Sequence, residues 1–342
     1  MNFPRLAADW LRFLRGKRSQ RAFSKRLGYR SNIAYRWESE VCFPTAAEVL
    51  KMVERAGLPL AQRVDGFFGS VLPGALPAQL ANPAGVAALL RALRGNTHVV
   101  ELARRSGFSR FSIARWLSGA AEPRLPEFLA FVEAASFRCL DFLSHFVGLE
   151  HLPSAAAEWR TLQAARKAAY DVPWSHAVLR ALELTDYANL EQPRPGWLAH
   201  RLGISRAEEE RCLKTLAAAH QIRKQGARWL VDHTQTIDTR NDPERSRKLK
   251  AEWLKVALAR LQSAVPGAFS YNLMAVSRKD LARLRELHIG YFREMQALVA
   301  DSEPSECVVL FNTQLFALDA HALDAHALGA AQATNAPSLR KR

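Results

Sequence analysis

The sequence predicts a mainly α-helical protein with a few short strands. Apolar residues recur at intervals of three and four along most of the chain, as expected for helices that bury one side. Capping residues and glycines stand where several of these periodic stretches begin and end. In addition, residues 19–50 align with the stretch 97–129 at a constant offset of 79 residues, so one helical unit occurs twice.

The stretch 97–129 is predicted to form a helix, a tight turn and a second helix. Gly107 can take the positive φ at which the first helix must stop, and Ser109 can cap the second helix. Ile113, Trp116 and Leu117 fall at i, i+3 and i+4, so they bury one side of that helix. The opposite side points outward and carries Arg110, Phe111, Ser112 and Arg115.

This pattern resembles the Cro/repressor-like helix-turn-helix family. The family places a small residue in the first helix, Gly in the turn, Ile and a bulky residue in the second helix, and then Gly and Pro. These places are held here by Ala103, Gly107, Ile113, Trp116, Gly119 and Pro123. The resemblance implies that the second helix enters the DNA major groove.

The earlier copy carries the same pattern, since Phe23, Gly28, Tyr29 and Trp37 align with Leu102, Gly107, Phe108 and Trp116. Ala34 replaces the usual Ile and is expected to weaken the core of this copy. In the later copy Leu117 stands where the family has Glu, and the earlier copy keeps that residue as Glu38.

The two copies together define a candidate DNA-binding surface. By the resemblance, Gln20 contacts phosphate in the first copy, whereas Ser31, Asn32 and Arg36 read bases. Arginine suits guanine, and Ser or Asn suits adenine or phosphate. Phe111 would touch a thymine methyl group or serve as an interface residue. The candidate residues are Gln20, Arg21, Arg30, Ser31, Asn32, Tyr35 and Arg36, followed by Ser109, Arg110, Phe111, Ser112 and Arg115.

The charge of the chain agrees with a nucleic-acid partner. There are 48 Lys and Arg residues against 33 Asp and Glu, a formal net charge of +15. Residues 1–65 alone hold 13 basic and 6 acidic residues. Such a field attracts polyanions but carries no sequence specificity, and membrane surfaces attract basic proteins as well.

Residues 174–235 resemble a winged helix, in which three helices precede a hairpin. The segment IRKQGARWLV has two strand-like halves around Gly226, and Ser205 is expected to cap the third helix. That helix begins with Glu208, Glu209 and Glu210, which would face phosphates with the wrong charge. Arg223, Lys224 and Arg228 of the wing would still reach the DNA backbone, but a dimerising or relay role is favoured.

Residues 268–276 and 306–318 alternate as strands should, on either side of a long helical stretch. The segment of about 155–318 resembles a bacterial family in which a winged helix precedes a small β-α-β domain of unknown function, associated with candidate transcriptional regulators. The long helix either packs on the sheet or pairs with its twin in a dimer. Asn312 and Gln314 would line an effector pocket or lie at a solvent-exposed strand edge, and the edge is favoured.

The predicted fold is therefore mainly α, with two tandem helix-turn-helix bundles, a winged helix and a small C-terminal α+β domain of β-α-β type. Its predicted parts are a first helix-turn-helix domain at 1–70, a linker at 71–85, a second helix-turn-helix domain at 86–150, a connector at 151–173, the winged helix at 174–235, a dimerisation or sensor domain at 236–318 and a disordered tail at 319–342.

Several function classes lack support in the sequence. Cys42, Cys139, Cys212 and Cys307 are scattered without metal spacing, and no phosphate loop or catalytic motif occurs. We expect no enzymatic activity, no cofactor and no metal. In the tail, His321 and His326 with Asp319 and Asp324 would bind a metal in principle, but a solvated tail is favoured. Without a signal peptide or long apolar run, a cytoplasmic protein is expected.

The sequence thus predicts a bacterial, sequence-specific transcriptional regulator that binds double-stranded DNA. It is expected to form a homodimer and to respond to a protein or small-molecule effector at its C-terminal domain. The alternative is a protein-interaction adaptor that uses Phe108, Phe111 and the acidic helix at 208–210 as partner surfaces. An enzyme acting on nucleic acid has no candidate catalytic cluster in the sequence.

Overall fold

The computed structural model describes residues 1–68, 79–232, 237–240, 242–263, 265–300 and 302–318. Throughout these residues the chain is mainly helical, with one two-stranded sheet. The prediction of a mainly α fold is confirmed. Within the same residues no helix is long and apolar enough to cross a membrane. The predicted tail at 319–342, with its four candidate metal ligands, lies outside the described residues.

The first ten helices form two repeats of five. Helices of the first repeat are α1 (Phe3–Arg15), α2 (Gln20–Arg26), α3 (Ile33–Glu38), α4 (Ala46–Arg55) and α5 (Leu60–Phe68). Helices of the second repeat are α6 (Pro83–Arg94), α7 (Val99–Ser106), α8 (Arg110–Ser118), α9 (Leu125–Ser136) and α10 (Cys139–Ser144). Each helix of the second repeat begins within two residues of the position that the 79-residue offset gives.

Side-chain caps explain where several of these helices begin. Asn2 and Asn82, which precede the first helix of each repeat, accept hydrogen bonds from the backbone N–H groups of Arg5 and Gly85. The predicted cap Ser109 accepts from Ser112 N–H. Gly107 ends α7 at φ 74°, a left-handed conformation that favours glycine, as predicted.

Both repeats bury their apolar sides in one continuous core. Its largest fully buried side chains include Trp10 of α1, Phe128 and Phe131 of α9 and Phe142 of α10. Trp10 and Phe146 bring residues of different repeats together, with 5.9 Å between their ring centroids. The repeats therefore fold as one body, although the sequence suggests two separate bundles. The predicted domain boundaries themselves stay a prediction.

A short 3₁₀ turn (Leu149–His151) and α11 (Ala156–Asp171) lead into a second apolar core. It is built from α12 (Trp174–Leu182), α13 (Thr185–Ala188), α14 (Trp197–Leu202), α15 (Arg206–Ala218), β1 (Ile222–Gln225) and β2 (Arg228–Val231). The two strands pair antiparallel, and Gly226 takes φ 60° in the turn between them. The hairpin and the Ser205 cap are present where the sequence predicts them.

Two long helices follow, α16 (Pro243–Gln262) and α17 (Arg278–Ala300). The helix of the predicted β-α-β domain is present as α17. Its two strands are not: residues 268–276 and 306–318 are irregular in the described chain. An alternating pattern shows which side chains would share a face, but a strand also needs a neighbouring strand for its ladder hydrogen bonds. The β-α-β prediction is therefore wrong for these segments.

The chain divides into two compact units. One comprises Met1–Trp253 and Ala275–Val308, and it contains both repeats and the hairpin. The other comprises Leu254–Met274 and the described residues from Val309 onward.

A buried ionic cluster links the second repeat to α11. Arg166 Nη2 donates to both carboxylate oxygens of Asp141, at 2.6 and 2.7 Å, and Arg166 Nε donates to the carbonyl of Asp238 at 2.8 Å. Arg138 pairs with Asp238 at 2.5 Å. Burial alone would raise the pKa of Asp238, but the guanidinium groups of Arg240 and Arg138 outweigh it and lower that pKa.

We expect Asp141→Asn to lower the free energy of unfolding by about 3 kcal/mol, because it leaves the buried Arg166 guanidinium without its counter-charge. Denaturant titration of the full chain measures the change. Asp171→Asn on α11 is the matched control, since it removes an exposed carboxylate and should cost under about 1 kcal/mol. Equal costs for the two variants would contradict a structural role for this cluster.

Candidate nucleic-acid interface

The surface of α3 and the turn before it carry most of the first repeat's candidate residues. Arg30, Ser31, Asn32, Tyr35 and Arg36 are all exposed. Tyr35 is 57% exposed, a large fraction for an aromatic side chain. The structure thus brings the predicted base-reading residues of this repeat together on one short segment.

The opposite side of α3 is anchored in the core. Ala34 and Trp37 are buried, and Tyr29 packs edge-on against Trp37 with 5.5 Å between the ring centroids. Ser24 adds a polar anchor: its hydroxyl donates to the Gln20 carbonyl at 2.8 Å and accepts from Ala34 N–H at 3.0 Å. Ser24 therefore holds α2 against the start of α3, although it is not among the residues predicted from the sequence.

Glu38 at the end of α3 is buried and ties three elements together. Its carboxylate accepts from Arg15 Nε at 2.6 Å and from Gln20 Nε2 at 2.8 Å, and Arg12 Nε lies 3.8 Å away. Gln20, predicted to contact phosphate, is therefore half-buried and held by Glu38. Among the candidate residues of the first repeat, Arg21 lies on the exposed side of α2.

The second repeat presents its candidates on α8 and the residue before it. Ser109, Arg110, Phe111 and Arg115 are exposed, whereas Ser112 is half-buried and shares a 2.9 Å hydrogen bond with Ser109. Phe111 is 70% exposed, and the Arg115 guanidinium lies 5.6 Å from the centre of its ring. The front of α8 therefore combines a cation with an uncovered aromatic ring.

The same arginine contact supports α3 and α8, which the sequence predicts to read DNA and which are called the reader helices below. Arg12 of α1 donates to the carbonyl of Glu38, and the equivalent Arg91 of α6 donates to the carbonyl of Leu117 at 2.6 Å. These carbonyls belong to the last turns of α3 and α8, where a cation is favourable for the helix dipole. The contact is present in both repeats although Leu117 stands at the position equivalent to Glu38, because the acceptor is a backbone carbonyl.

Four candidate arginines are uncompensated in the described part of the chain. Arg21, Arg30, Arg36 and Arg110 are exposed, and none of them makes a side-chain hydrogen bond or ion pair with a described residue. By contrast, Glu101 on α7 holds Arg104 and Arg105, and the hydrogen bond from Arg104 is the main cause of its lowered pKa. The positive charges of these four side chains are therefore directed to solvent.

The expectations for the third helix, now α15, and for the wing need correction. Glu209 does not face outward: it is buried, and its carboxylate accepts from the N–H groups of Gly196 and Ala199 at the start of α14. Arg228 also has partners, since it donates to the carbonyls of Tyr187 and Ala188, the last two residues of α13. Both side chains form hydrogen bonds with backbone groups at helix ends, where the regular bonds within a helix stop. The sequence pattern does not show such contacts.

The other charged residues of this region are mostly paired as well. Arg223 pairs with Asp232, Lys224 lies 5.7 Å from the centre of the Trp229 ring, and Glu208 pairs with Arg211 at 2.7 Å. Glu210 is exposed as expected. The wing thus offers less positive charge for a phosphate backbone than its composition suggests.

An open cleft of about 400 Å³ lies beside α13 and α14. Its lining includes Asp186, Trp197, His200 and Arg201, and the Asp186–Arg201 ion pair measures 3.1 Å. Gln314, one of the two amides considered for an effector pocket, is exposed.

Comparison with known proteins bears on the C-terminal part of the chain. Residues 154–318 match the family model described as a domain of unknown function, DUF4423. This confirms the predicted C-terminal domain of unknown function. No curated protein and no solved structure matches the chain.

We expect Glu38→Gln to lower the free energy of unfolding by about 3 kcal/mol, because Arg15 would lose a buried charged partner. Glu40→Gln is the matched control. It breaks a more exposed pair with Arg5, at 3.1 Å, and should cost less than about 1 kcal/mol. Thermal and denaturant unfolding measure both variants, and a Glu38 variant as stable as its control would argue against this anchor for α3.

Proposed function

We propose that the chain is a cytoplasmic, sequence-specific transcriptional regulator that binds double-stranded DNA through α3 and α8. The helix-turn-helix resemblance of both repeats supports this assignment, as does the net charge of +15. The observation that carries it is the set of uncompensated arginines. Folding compensates Arg12, Arg15, Arg138 and Arg166, yet Arg36 and its neighbours on the reader surface face solvent.

The chemistry of the α3 surface fits direct readout of bases. Arg36 is the residue type best suited to guanine, and Asn32 the type best suited to adenine. Arg21 and Arg30 flank them with the charge that phosphate contacts need. A basic helix that served only solubility would not require this mixture of amide, hydroxyl and guanidinium groups.

The C-terminal part is proposed to mediate dimerisation or to sense a partner. Large apolar side chains are exposed there, including Tyr271, Leu273, Leu287, Val309 and Phe316. Exposed apolar groups of this size favour burial against another surface, so a second copy of the chain or an effector protein would stabilise them. The ionic cluster of Asp141 and Arg166 joins this half of the chain to the second repeat.

A protein-interaction adaptor is the second candidate function, and exposed Phe111 is the observation that favours it. A ring that is 70% exposed on a helix front is a typical anchor for a protein partner. Catalysis is not proposed. Across the described ranges, no group of three or more His, Cys, Asp or Glu residues could hold a metal ion.

We expect Arg36→Ala to cost about 1–3 kcal/mol of DNA binding and to relax specificity at one base pair. Arg21→Ala should instead weaken binding evenly across sequences, because a phosphate contact carries no base information. The measurement selects binders from a randomised duplex pool at near-physiological salt and then determines Kd for the selected site.

Lys167→Ala serves as the control, since Lys167 is exposed on α11 and pairs with Asp171. Its selected sequences should equal those of the unmodified chain. An Arg36→Ala variant with unchanged sequence preference would remove α3 from the interface. If the unmodified chain enriches no sequence, the adaptor becomes the better assignment.

A further inference from the structure

The two repeats contact each other in a reciprocal way. Ala46 N–H donates to the carbonyl of Pro123 at 3.0 Å, and Leu125 N–H donates to the carbonyl of Pro44 at 2.9 Å. Between these bonds, Thr45 and Arg124 form an antiparallel bridge. Positions 44, 45 and 46 are equivalent to 123, 124 and 125 at the repeat offset. Each repeat therefore donates one hydrogen bond to the other and accepts the equivalent bond from it.

The helix contacts follow the same rule. The equivalent helices α4 and α9 touch each other, and so do α5 and α10. In addition, α1 of the first repeat contacts α9 of the second, while α6 of the second contacts α4 of the first. Contacts in which residue i meets j and the equivalent of j meets the equivalent of i are produced by a twofold axis. A simple translation along the chain would produce contacts in one direction only.

From this geometry we infer that one chain contains a pseudo-twofold pair of DNA readers, which recognises an inverted repeat with two unlike half-sites. The inference rests on the proposed function. Because duplex DNA has local twofold axes, a protein with twofold-related readers recognises half-sites in opposite orientation. Readers related by translation would instead recognise a direct repeat.

The reader residues determine what the half-sites share. Arg36 of α3 and Arg115 of α8 are equivalent at the repeat offset, so the two half-sites should contain the same base pair at symmetric positions. The neighbouring positions differ, since Ser31 corresponds to Arg110 and Asn32 to Phe111. The preferred sequence is therefore an imperfect palindrome that is symmetric at the arginine position and asymmetric beside it.

The phosphate contacts differ as well. Arg21 of α2 corresponds to Val100 of α7, which is 59% exposed and carries no charge. The first repeat should therefore hold its half-site more tightly at low salt than the second repeat does. Binding should depend on salt mainly through the half-site of α3.

The experiment uses the full chain and the two half-sites obtained by selection from the randomised pool. Four duplexes are compared: the selected site, the same site with one half-site reversed, the first half-site alone and the second half-site alone. We expect reversal to weaken binding at least about tenfold, which approaches the loss of one half-site. Native mass spectrometry or analytical ultracentrifugation counts the chains on each duplex, and the number of inverted repeats bound should equal the number of chains, whether or not the C-terminal parts dimerise.

The variants assign each half-site to its reader. Arg36→Ala should relax the conserved base pair in one half-site only, and Arg115→Ala in the other, whereas Lys167→Ala should change neither. A selected direct repeat bound by one chain would overturn the twofold arrangement and leave DNA binding intact. A palindrome with identical halves that requires two chains would also overturn it. No enriched sequence would remove the proposed function and this inference with it.

Discussion

The hydrogen-bond exchange at Thr45 and Arg124 is the constraint on which the N-terminal half of the structure depends. It joins the segment that follows α3 to the segment that follows α8. Both reader helices are therefore connected to the same short junction. Around it, α4, α5, α9 and α10 bury the apolar sides that each five-helix repeat would otherwise expose. A repeat of this size has little core of its own, and the shared core supplies the missing burial.

The two repeats hold the ends of their reader helices, α3 and α8, with different side chains. In the first repeat a buried carboxylate, Glu38, gathers two arginines and a glutamine around the end of α3. In the second repeat Leu117 occupies that position and fills it with apolar side chain. The backbone contact of Arg12, or of Arg91, is common to both. A conserved geometry thus tolerates a change from an ionic to an apolar anchor, provided that the carbonyl remains capped.

Much of this arrangement follows from the sequence, because local signals specify it. Helix positions, the left-handed Gly107, the Ser109 cap and the hairpin at Gly226 depend on residues within a few positions of one another. The shared core does not follow from the sequence in this way, because periodicity identifies the buried side of a helix but not the element that covers it. The burial of Glu209 is not predictable for the same reason: its partners are backbone groups that lie ten or more positions earlier in the chain.

Because the two repeats belong to one chain, the pairing of the reader helices does not depend on protein concentration. Two separate subunits must associate before both readers are available, so the fraction of complete pairs falls on dilution. In this chain each reader stays at a fixed, high effective concentration relative to the other, whatever the amount of protein present. The pair is also free to diverge, because a substitution in α3 has no obligatory copy in α8.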